Sequence, residues 1–238
     1  HLPTGRPPLR MKLLLTCEHG GNKVPTIYRP LFKDADAVLH SHRGWDPGAL
    51  GLFERLKADA DAHFHSTTSR LLVELNRSPH HPALFSRYTK PLPLTERKTL
   101  LGRYYLPYRA AVEEQVAKWA TKPETVMHVA VHSFTPVLNS EVRTLDIGLL
   151  YDPSRRIEKQ WALRWRDTML AIDPTVEVRM NRPYLGKADG LPTYLRKLHP
   201  THYAGIELEV NQGHLVNGKF PKDLALLVRE SLKRSLAR

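Results

Sequence analysis

Four short apolar runs in this chain each end in side chains that a buried strand does not ordinarily tolerate. The four ends are Glu18-His19, Glu74-Leu75-Asn76-Arg77, His132-Ser133 and Glu207-Leu208-Glu209-Val210-Asn211. Burying a carboxylate or a guanidinium without a partner is very costly, so such residues either pair with one another or line a cleft. Ligands bind at the carboxyl edge of the strands in open α/β sheets. We therefore expect these polar ends to converge at one edge of a sheet.

Strand-like runs alternate along the chain with segments of helical spacing. Strands are predicted at 12–17, 126–132, 146–151, 176–179 and 203–210, with one or two more over 63–66 and 71–75. Helices are predicted at 47–62, 155–172 and 221–236, with one or two over 93–118. This alternation predicts a three-layer α/β fold with a mainly parallel or mixed central sheet flanked by helices. We expect one catalytic domain over 11–238, and we interpret 1–10 as a flexible arm or an added segment.

The composition argues against several protein classes. No apolar stretch approaches the roughly 20 residues of a membrane span, so no membrane partner is expected. Residues 1–10 lack the apolar core of a signal peptide. The single cysteine, Cys17, excludes an internal disulfide and indicates a reducing compartment, for which we predict the cytoplasm. A free cysteine in a strand is more often a small buried hydrophobe than a nucleophile.

The net charge of +12 raises the question of a nucleic-acid partner. The basic residues are spread along the chain, with neither a basic stripe interleaved with aromatics nor the spacing of a zinc finger or helix-turn-helix. We therefore predict a basic surface that attracts a small anionic substrate, and no nucleic-acid partner. A basic nucleic-acid-binding protein without catalysis is the alternative from another class. The oligomeric state is left open.

The chemistry that the polar ends could assemble is hydrolysis at one bound divalent metal ion. His19 and His132 are the predicted imidazole ligands, and Asp46 is the predicted carboxylate ligand. Two imidazoles and a carboxylate make a three-ligand zinc site with an open position for water. Asp46 followed by Pro47 is also typical of a helix N-cap, so capping and ligation both remain open. Glu18 is the second choice of ligand, because strand alternation points it away from His19.

Hydrolysis also needs a general base and a group that holds the substrate. Glu207 and Glu209 fall on one face of the last strand. Two neighbouring carboxylates can have different pKa values, which suits acid–base catalysis. We predict Glu209, which is nearer the strand end, as the base and Glu207 as structural.

Four polar side chains are predicted to bind an anionic substrate: Arg70, Asn76, Arg77 and Arg143. The guanidinium of Arg77 beside the amide of Asn76 suits a carboxylate by bidentate contact. Arg70 has a salt bridge at the surface as its alternative interpretation. Arg143 follows the His132 loop and could face the same anion.

These residues and their order resemble the N-formylglutamate amidohydrolase family. The matching segments are 17–25 (CEHGGNKVP), 46–49 (DPGA), 69–77 (SRLLVELNR), 132–136 (HSFTP), 146–151 (DIGLLY), 181–184 (NRPY) and 206–212 (IELEVNQ). The resemblance implies a phosphorylase/hydrolase-like α/β fold akin to that of zinc carboxypeptidases. It also implies metal-dependent cleavage of the amide bond of an N-acylated acidic amino acid such as N-formylglutamate.

A looser similarity to aspartoacylases implies His19 and His132 as ligands, Glu209 as the base, and Asn76 with Arg77 as the holders of the substrate α-carboxylate. The chain departs from that pattern at Asn22, where a His-x-x-Glu metal pair would carry its glutamate. This departure is why Asp46 is assigned as the carboxylate ligand. A second departure is mild: Glu74 stands where relatives commonly carry aspartate. A carboxypeptidase-like or cell-wall peptide amidase is the alternative within enzymes.

Overall fold

A six-stranded mixed sheet forms the centre of the computed structural model, which describes residues 10–121 and 124–237. Its strands are β1 (Arg10–Cys17), β2 (Ala62–His65), β3 (Glu124–Phe134), β6 (Ile147–Leu150), β7 (Val178–Met180) and β8 (Tyr203–Asn211), and a separate hairpin pairs β4 (Val137–Leu138) with β5 (Glu141–Val142). The order is β2-β1-β3-β8-β6-β7. Strands β2, β1, β3 and β8 run parallel, whereas β6 is antiparallel to β8. The predicted mainly parallel α/β sheet is confirmed.

Helices cover both faces of this sheet. They are α1 (Asp36–Leu39), α2 (Ala49–Leu56), α3 (Leu94–Leu100), α4 (Leu106–Trp119), α5 (Arg156–Ile172), α6 (Leu191–Leu198) and α7 (Lys222–Leu236). A π-helical turn at Leu101–Tyr105 joins α3 to α4, and short 3-10 turns lie at Thr26–Phe32, Lys57–Asp59 and Gln212–His214. Within the described residues, no helix has the length and apolar composition needed to cross a membrane.

Successive side chains of each strand point to opposite faces, and this alternation builds the two cores. On one face, Leu13 and Leu15 of β1 pack with residues of α2, α5 and α7, among them Phe53 and Trp165. On the other face, Leu14 of β1 and Val126 of β3 pack with α4 and α6, through residues that include Val112, Val116, Leu191 and Leu195. The result is the predicted three-layer arrangement.

Three local predictions are wrong. Residues 71–75 form turns rather than a strand, because Leu72, Val73 and Leu75 are buried in a separate apolar cluster with Tyr28 and Phe32. Helix α2 begins later than predicted, at Ala49, and its N-cap position is taken by Gly48 at φ +82°. Asp46 is therefore not the helix cap. Helix α6 (Leu191–Leu198) is absent from the predicted helices, none of which falls between 172 and 221.

The predicted N-terminal arm lies almost wholly outside the described residues. The exception is Arg10, which belongs to β1 and pairs in register with Glu124 of β3.

A buried ion pair ties helix α5 to helix α6 and to strand β8. The fully buried carboxylate of Glu158 accepts a hydrogen bond from Arg196 Nε at 2.9 Å and another from the backbone N–H of Gly205 at 3.0 Å. Arg196 also donates to the carbonyl oxygens of Gly186 at 2.6 Å and Gly205 at 3.0 Å. This pair fixes the loop before α6, which forms part of the cavity described below.

The Arg196→Met substitution is expected to destabilise the fold by about 1.5–3 kcal/mol, because it removes the charged hydrogen bond to the buried Glu158 carboxylate and leaves Arg155, whose Nε lies 3.1 Å from Oε1, as the remaining cation. Urea unfolding measures this change. The matched control is Arg166→Met, which breaks a surface pair with Asp167 and should change the free energy of unfolding by less than about 1 kcal/mol. Equal effects of the two substitutions would contradict a stabilising role for the buried pair.

Candidate active site

Three side chains from distant parts of the chain meet at the carboxyl edge of β1 and β3. His19 is the second residue after β1, Asp46 lies in the loop before α2, and His132 lies near the end of β3. All three are buried, and one potential ligand atom from each lies within 4.8 Å of the other two. Asp46 Oδ2 is 2.8 Å from His132 Nδ1 and 3.2 Å from His19 Nδ1. Both imidazoles therefore turn their Nδ1 atoms toward the same carboxylate oxygen.

The backbone around His19 and Asp46 is held by close packing and hydrogen bonds. The backbone N–H of Asp46 donates to the carbonyl oxygen of His19 at 2.9 Å, which links the two loops directly. A Cβ atom at Gly21 would lie 2.6 Å from the carbonyl oxygen of Thr67, so only glycine permits this approach of the turn after β1. Gly21, in the His-Gly-Gly sequence, thus allows the turn that contains His19 to pack against the backbone of Thr67.

Each imidazole is also held on its far side by a buried glutamate. His19 Nε2 contacts Glu74 Oε1, and His132 Nε2 lies 3.2 Å from Glu18 Oε2. Arg70 in turn contacts both Asp46 Oδ1, at 3.3 Å, and Glu74 Oε2, at 2.7 Å. The two imidazoles and one guanidinium are therefore matched by three carboxylates.

The pKa values of these groups follow from burial and from their partners. Burial raises the pKa of Asp46, but the charges and hydrogen bonds of His19 and His132 outweigh it and hold that pKa well below its ordinary value. Burial likewise opposes ionisation of Glu18, yet the hydrogen bond and charge of His132 lower its pKa to about 2. For His132, burial lowers the pKa, and contacts with Asp46 and Glu18 reverse that effect and raise it well above its ordinary value. The ionised carboxylates of the cluster thus favour a positive charge among them.

The donor set of this cluster fits a divalent metal ion of the zinc type. Imidazole nitrogens and a carboxylate oxygen are ordinary zinc ligands, and three of them leave a coordination position open. The convergence of two Nδ1 atoms on one carboxylate oxygen brings the ligand atoms together before any ion is added. His19, Asp46 and His132 are the residues that would hold the ion.

A further carboxylate faces the same cavity without a partner. Glu209 of β8 is paired in register with His132 of β3, and its Oε2 atom is buried with no hydrogen-bond partner among the described residues. Burial raises the pKa of Glu209 to about 8; His132 opposes this shift, whereas Asp46 and Glu207 add to it. Glu207, two residues earlier, accepts a hydrogen bond from Asn76 Nδ2 at 2.9 Å. The two glutamates thus differ in environment as well as in position.

These groups border a cavity of about 410 Å³. Seven of the eight residues predicted from the sequence as site residues line it, namely His19, Asp46, Arg70, Asn76, Arg77, His132 and Glu209. The eighth, Arg143, does not. It donates from Nη1 to the hydroxyl of Tyr184 at 3.0 Å, and its guanidinium lies over that ring at 5.0 Å. Because Tyr184 lines the cavity, Arg143 borders the site through this ring.

Of the cations lining the cavity, Arg77 is the one free of a carboxylate partner within 4.0 Å among the described residues. Its Nη1 donates only to backbone carbonyl oxygens, those of Asp189 at 2.6 Å and Asn76 at 3.0 Å. The amide of Asn76 is engaged at both ends, since Oδ1 accepts from the backbone N–H of Leu191 at 2.7 Å and Nδ2 binds Glu207. Arg77 therefore carries the charge that is available to an anion.

Sequence reasoning gave no role to two residues that contact the cluster directly. Glu74 was noted as part of a polar end and as a mild departure from relatives, and its contact with His19 spans 55 positions in the chain. Tyr108 lies in the helical segment predicted over 93–118 and was not singled out there as a site residue, yet its hydroxyl donates to Glu18 Oε1 at 2.8 Å. No spacing in the sequence signals either contact, because both depend on how distant segments fold together.

Comparison with solved structures places the chain among known folds. The gene product Atu2144 from Agrobacterium tumefaciens is 29% identical, with a TM-score of 0.77 over 95% of this chain and 90% of that one. The N-formylglutamate amidohydrolase from Ralstonia eutropha JMP134 is 16% identical, with a TM-score of 0.57 over 94% of each chain, a likeness of fold. A search of the curated proteins finds no match.

Comparison of the sequence with known families identifies the family of this chain. The pattern described as N-formylglutamate amidohydrolase matches residues 11–215, which is most of the chain and includes every residue of the cluster. This chain belongs to the N-formylglutamate amidohydrolase family and is a hydrolase that acts on amides.

Proposed function

We propose that this hydrolase is metal-dependent and cleaves the N-acyl amide bond of a small acidic N-acyl amino acid such as N-formylglutamate. The observation that carries the proposal is the convergence of His19, Asp46 and His132 beside the unpartnered carboxylate of Glu209 in one cavity. Two imidazoles, a carboxylate and a nearby free glutamate are the parts that metal-assisted hydrolysis requires. The alternative substrate, a larger cell-wall peptide, would use the same parts.

The proposed cofactor is one divalent ion, zinc by the chemistry of its ligands. When bound, such an ion would supply Lewis acidity, which lowers the pKa of a coordinated water to about 7. The chain's part is to hold the ligands in place. Arg70 does so by pairing with both Asp46 and Glu74, which fixes the orientation of the carboxylates on either side of His19.

Glu209 is the proposed general base. In the proposed reaction its carboxylate takes a proton from the attacking water and passes it to the amide nitrogen as the C–N bond breaks. This role is supported by its place on the cavity wall and by an Oε2 atom that no other described residue engages. Glu207 is suited instead to a structural role, since its carboxylate holds Asn76.

The proposed substrate is a small anion, and Arg77 is proposed as the first contact of its α-carboxylate. A guanidinium held by backbone carbonyls keeps its full charge and a fixed position, which suits a carboxylate in the cavity. Contacts of Arg70, Asn76 and Arg143 with the substrate remain predictions. So does the cytoplasmic location, which rests on the single buried thiol of Cys17.

Metal content tests the ligand assignment. We expect His19→Ala, Asp46→Ala and His132→Ala each to lose stoichiometric metal after dialysis, because each removes one of three ligands. The control is His214→Ala, whose imidazole pairs with Asp146 outside the cluster and whose loss should leave the metal bound. Elemental analysis of the purified proteins measures the ratio of metal to protein. Full retention by any one of the three variants would remove that residue from the site.

The Glu209→Gln substitution is expected to keep the metal and to lower kcat on N-formylglutamate by about 10²–10⁴-fold, because the proton acceptor is lost. Release of formate measures the rate. Glu207→Gln is the matched control, since glutamine can still accept the hydrogen bond of Asn76; its kcat should fall by less than about tenfold. An unchanged kcat in Glu209→Gln would contradict its role as the base.

The Arg77→Met substitution is expected to raise KM for N-formylglutamate by about 10–100-fold, since a charge-assisted hydrogen bond is removed. The effect should shrink for N-formyl-isoglutamine, which lacks the α-carboxylate. Arg87→Met serves as the control, because this exposed guanidinium lies over the neighbouring Tyr88 ring and donates to its hydroxyl. Equal losses with both substrates would assign Arg77 to another part of the substrate.

A further inference from the structure

The cavity is larger than N-formylglutamate needs. That molecule has twelve non-hydrogen atoms and, at the packing density of protein interiors, would fill about half of the cavity of about 410 Å³. A metal ion with its coordinated water would fill about a tenth more. Roughly a third of the space therefore remains for a further part of a substrate.

Arg77 lies at one end of this cavity. Its guanidinium donates to the carbonyl oxygen of Asn76, and the side chain of Asn76 binds Glu207 of β8. Glu209, which is paired in register with His132, lies two residues further along the strand, a step of about 7 Å. This step suits an N-acyl amino acid, in which three bonds separate the α-carboxylate carbon from the amide carbonyl carbon. An α-carboxylate bound at Arg77 thus places the amide bond near Glu209.

The acyl side of that bond then faces the next step along the sheet. Phe134 of β3 lines the cavity and is paired in register with Asn211, two residues beyond the catalytic level. Asn211 donates from Nδ2 to the carbonyl oxygen of Arg143 at 3.0 Å, and Arg143 donates to the hydroxyl of Tyr184. Phe134 and Tyr184 therefore lie at the end of the cavity opposite Arg77. A formyl group has only a hydrogen atom beyond its carbonyl carbon, so it leaves this end unfilled.

Tyr184 gives this end of the cavity a partly exposed aromatic surface. The residue is 42% exposed, although the guanidinium of Arg143 lies over its ring at 5.0 Å and donates to its hydroxyl at 3.0 Å. Leu185, the next residue, also lines the cavity and is 56% exposed. Exposed apolar side chains in a concave site are typical of surfaces that contact a ligand.

The loop that carries Tyr184 is held firmly against the sheet. The side chain of Asn181 accepts hydrogen bonds from two backbone N–H groups, both at 3.0 Å. A Cβ atom at Gly148, which is paired in register with Glu209, would lie 2.0 Å from the carbonyl oxygen of Arg182, so only glycine permits this approach of the loop. The aromatic surface is therefore preformed, and a ligand that binds it pays little for ordering the loop.

We propose that Phe134 and Tyr184 form an acyl subsite, and that this hydrolase prefers N-acylated acidic amino acids whose acyl group carries several carbons beyond the carbonyl. The inference rests on the proposed function, because it takes the reaction at Glu209 and the contact of the α-carboxylate with Arg77 as given. Water adds to the acyl carbon and the C–N bond breaks, so the products are a carboxylic acid and the free amino acid. Arg143 is a positioning residue, since it holds the Tyr184 ring without lining the cavity.

Hydrolysis of N-acetyl-, N-butyryl- and N-hexanoylglutamate by the full chain supplied with Zn²⁺ tests the proposal. The carbonyl groups of these amides react alike, so their kcat/KM values compare the fit of the acyl chain. We expect kcat/KM to rise about tenfold from acetyl to butyryl, because each buried methylene contributes about threefold to fourfold. Calorimetric Kd values for the metal-free protein should follow the same order, independently of turnover. An equal or lower kcat/KM for the butyryl compound would overturn the inference.

Substitutions of the ring test whether the preference arises at the subsite. Tyr184→Ala should reduce the ratio of the butyryl to the acetyl kcat/KM to about threefold or less, because the chain loses its apolar contact. Tyr184→Phe keeps the ring and should keep the ratio. The control is Leu226→Ala on α7, which removes a side chain that is 51% exposed and lies outside this cavity. An undiminished ratio in Tyr184→Ala would overturn the assignment of the subsite.

This inference and the proposed function would fail in different ways. Hydrolysis of N-formylglutamate without any gain for longer acyl chains would overturn the acyl subsite and leave the proposed function standing. If the protein supplied with Zn²⁺ hydrolysed none of these amides, N-formylglutamate included, the proposed function would be overturned and this inference with it.

Discussion

The burial of the Asp46 carboxylate between two imidazoles is the interaction on which the rest of the site depends. An unpaired buried carboxylate is very unfavourable, and here the charge is met by His19, His132 and Arg70. These partners come from the end of β1, from β3 and from the loop after β2. The carboxylate of Asp46 therefore contacts side chains from segments that are distant from one another in the sequence. Removal of any one partner would leave the remaining groups buried with uncompensated charge.

The architecture could be predicted from the sequence because its strands are buried on both sides of a sheet and its helices carry regular apolar spacing. The same logic located His19, His132 and Glu209, since all three lie at or near strand ends. It failed at 71–75, where an apolar run is buried in a separate cluster rather than paired in the sheet. An apolar run indicates burial, but burial alone does not distinguish a strand from a turn that packs against another apolar cluster.

The parts of the site that escaped prediction are contacts between distant segments. For Asp46 the sequence predicted a ligand but left a helix cap open, and the start of α2 at Ala49, three residues later, is what excludes the cap. The contacts of Glu74 with His19 and of Tyr108 with Glu18 join positions 55 and 90 residues apart. Each depends on the tertiary path of the chain, which local pattern does not encode. Residue types could thus be proposed, whereas pairings required the folded structure.

The site is rich in carboxylates, whereas the chain as a whole is basic. The protein carries a net charge of +12, but the cluster gathers the carboxylates of Glu18, Asp46 and Glu74 around two imidazoles and Arg70, with Glu209 beside them. A basic surface attracts small anions over a long range, whereas screening confines the influence of the buried carboxylates to their immediate surroundings. The two charge distributions can therefore act on different ligands: an anionic substrate that approaches from solvent, and a cation held among the buried side chains. Arg77 is a basic residue that lines the same cavity as the carboxylates of Asp46 and Glu209.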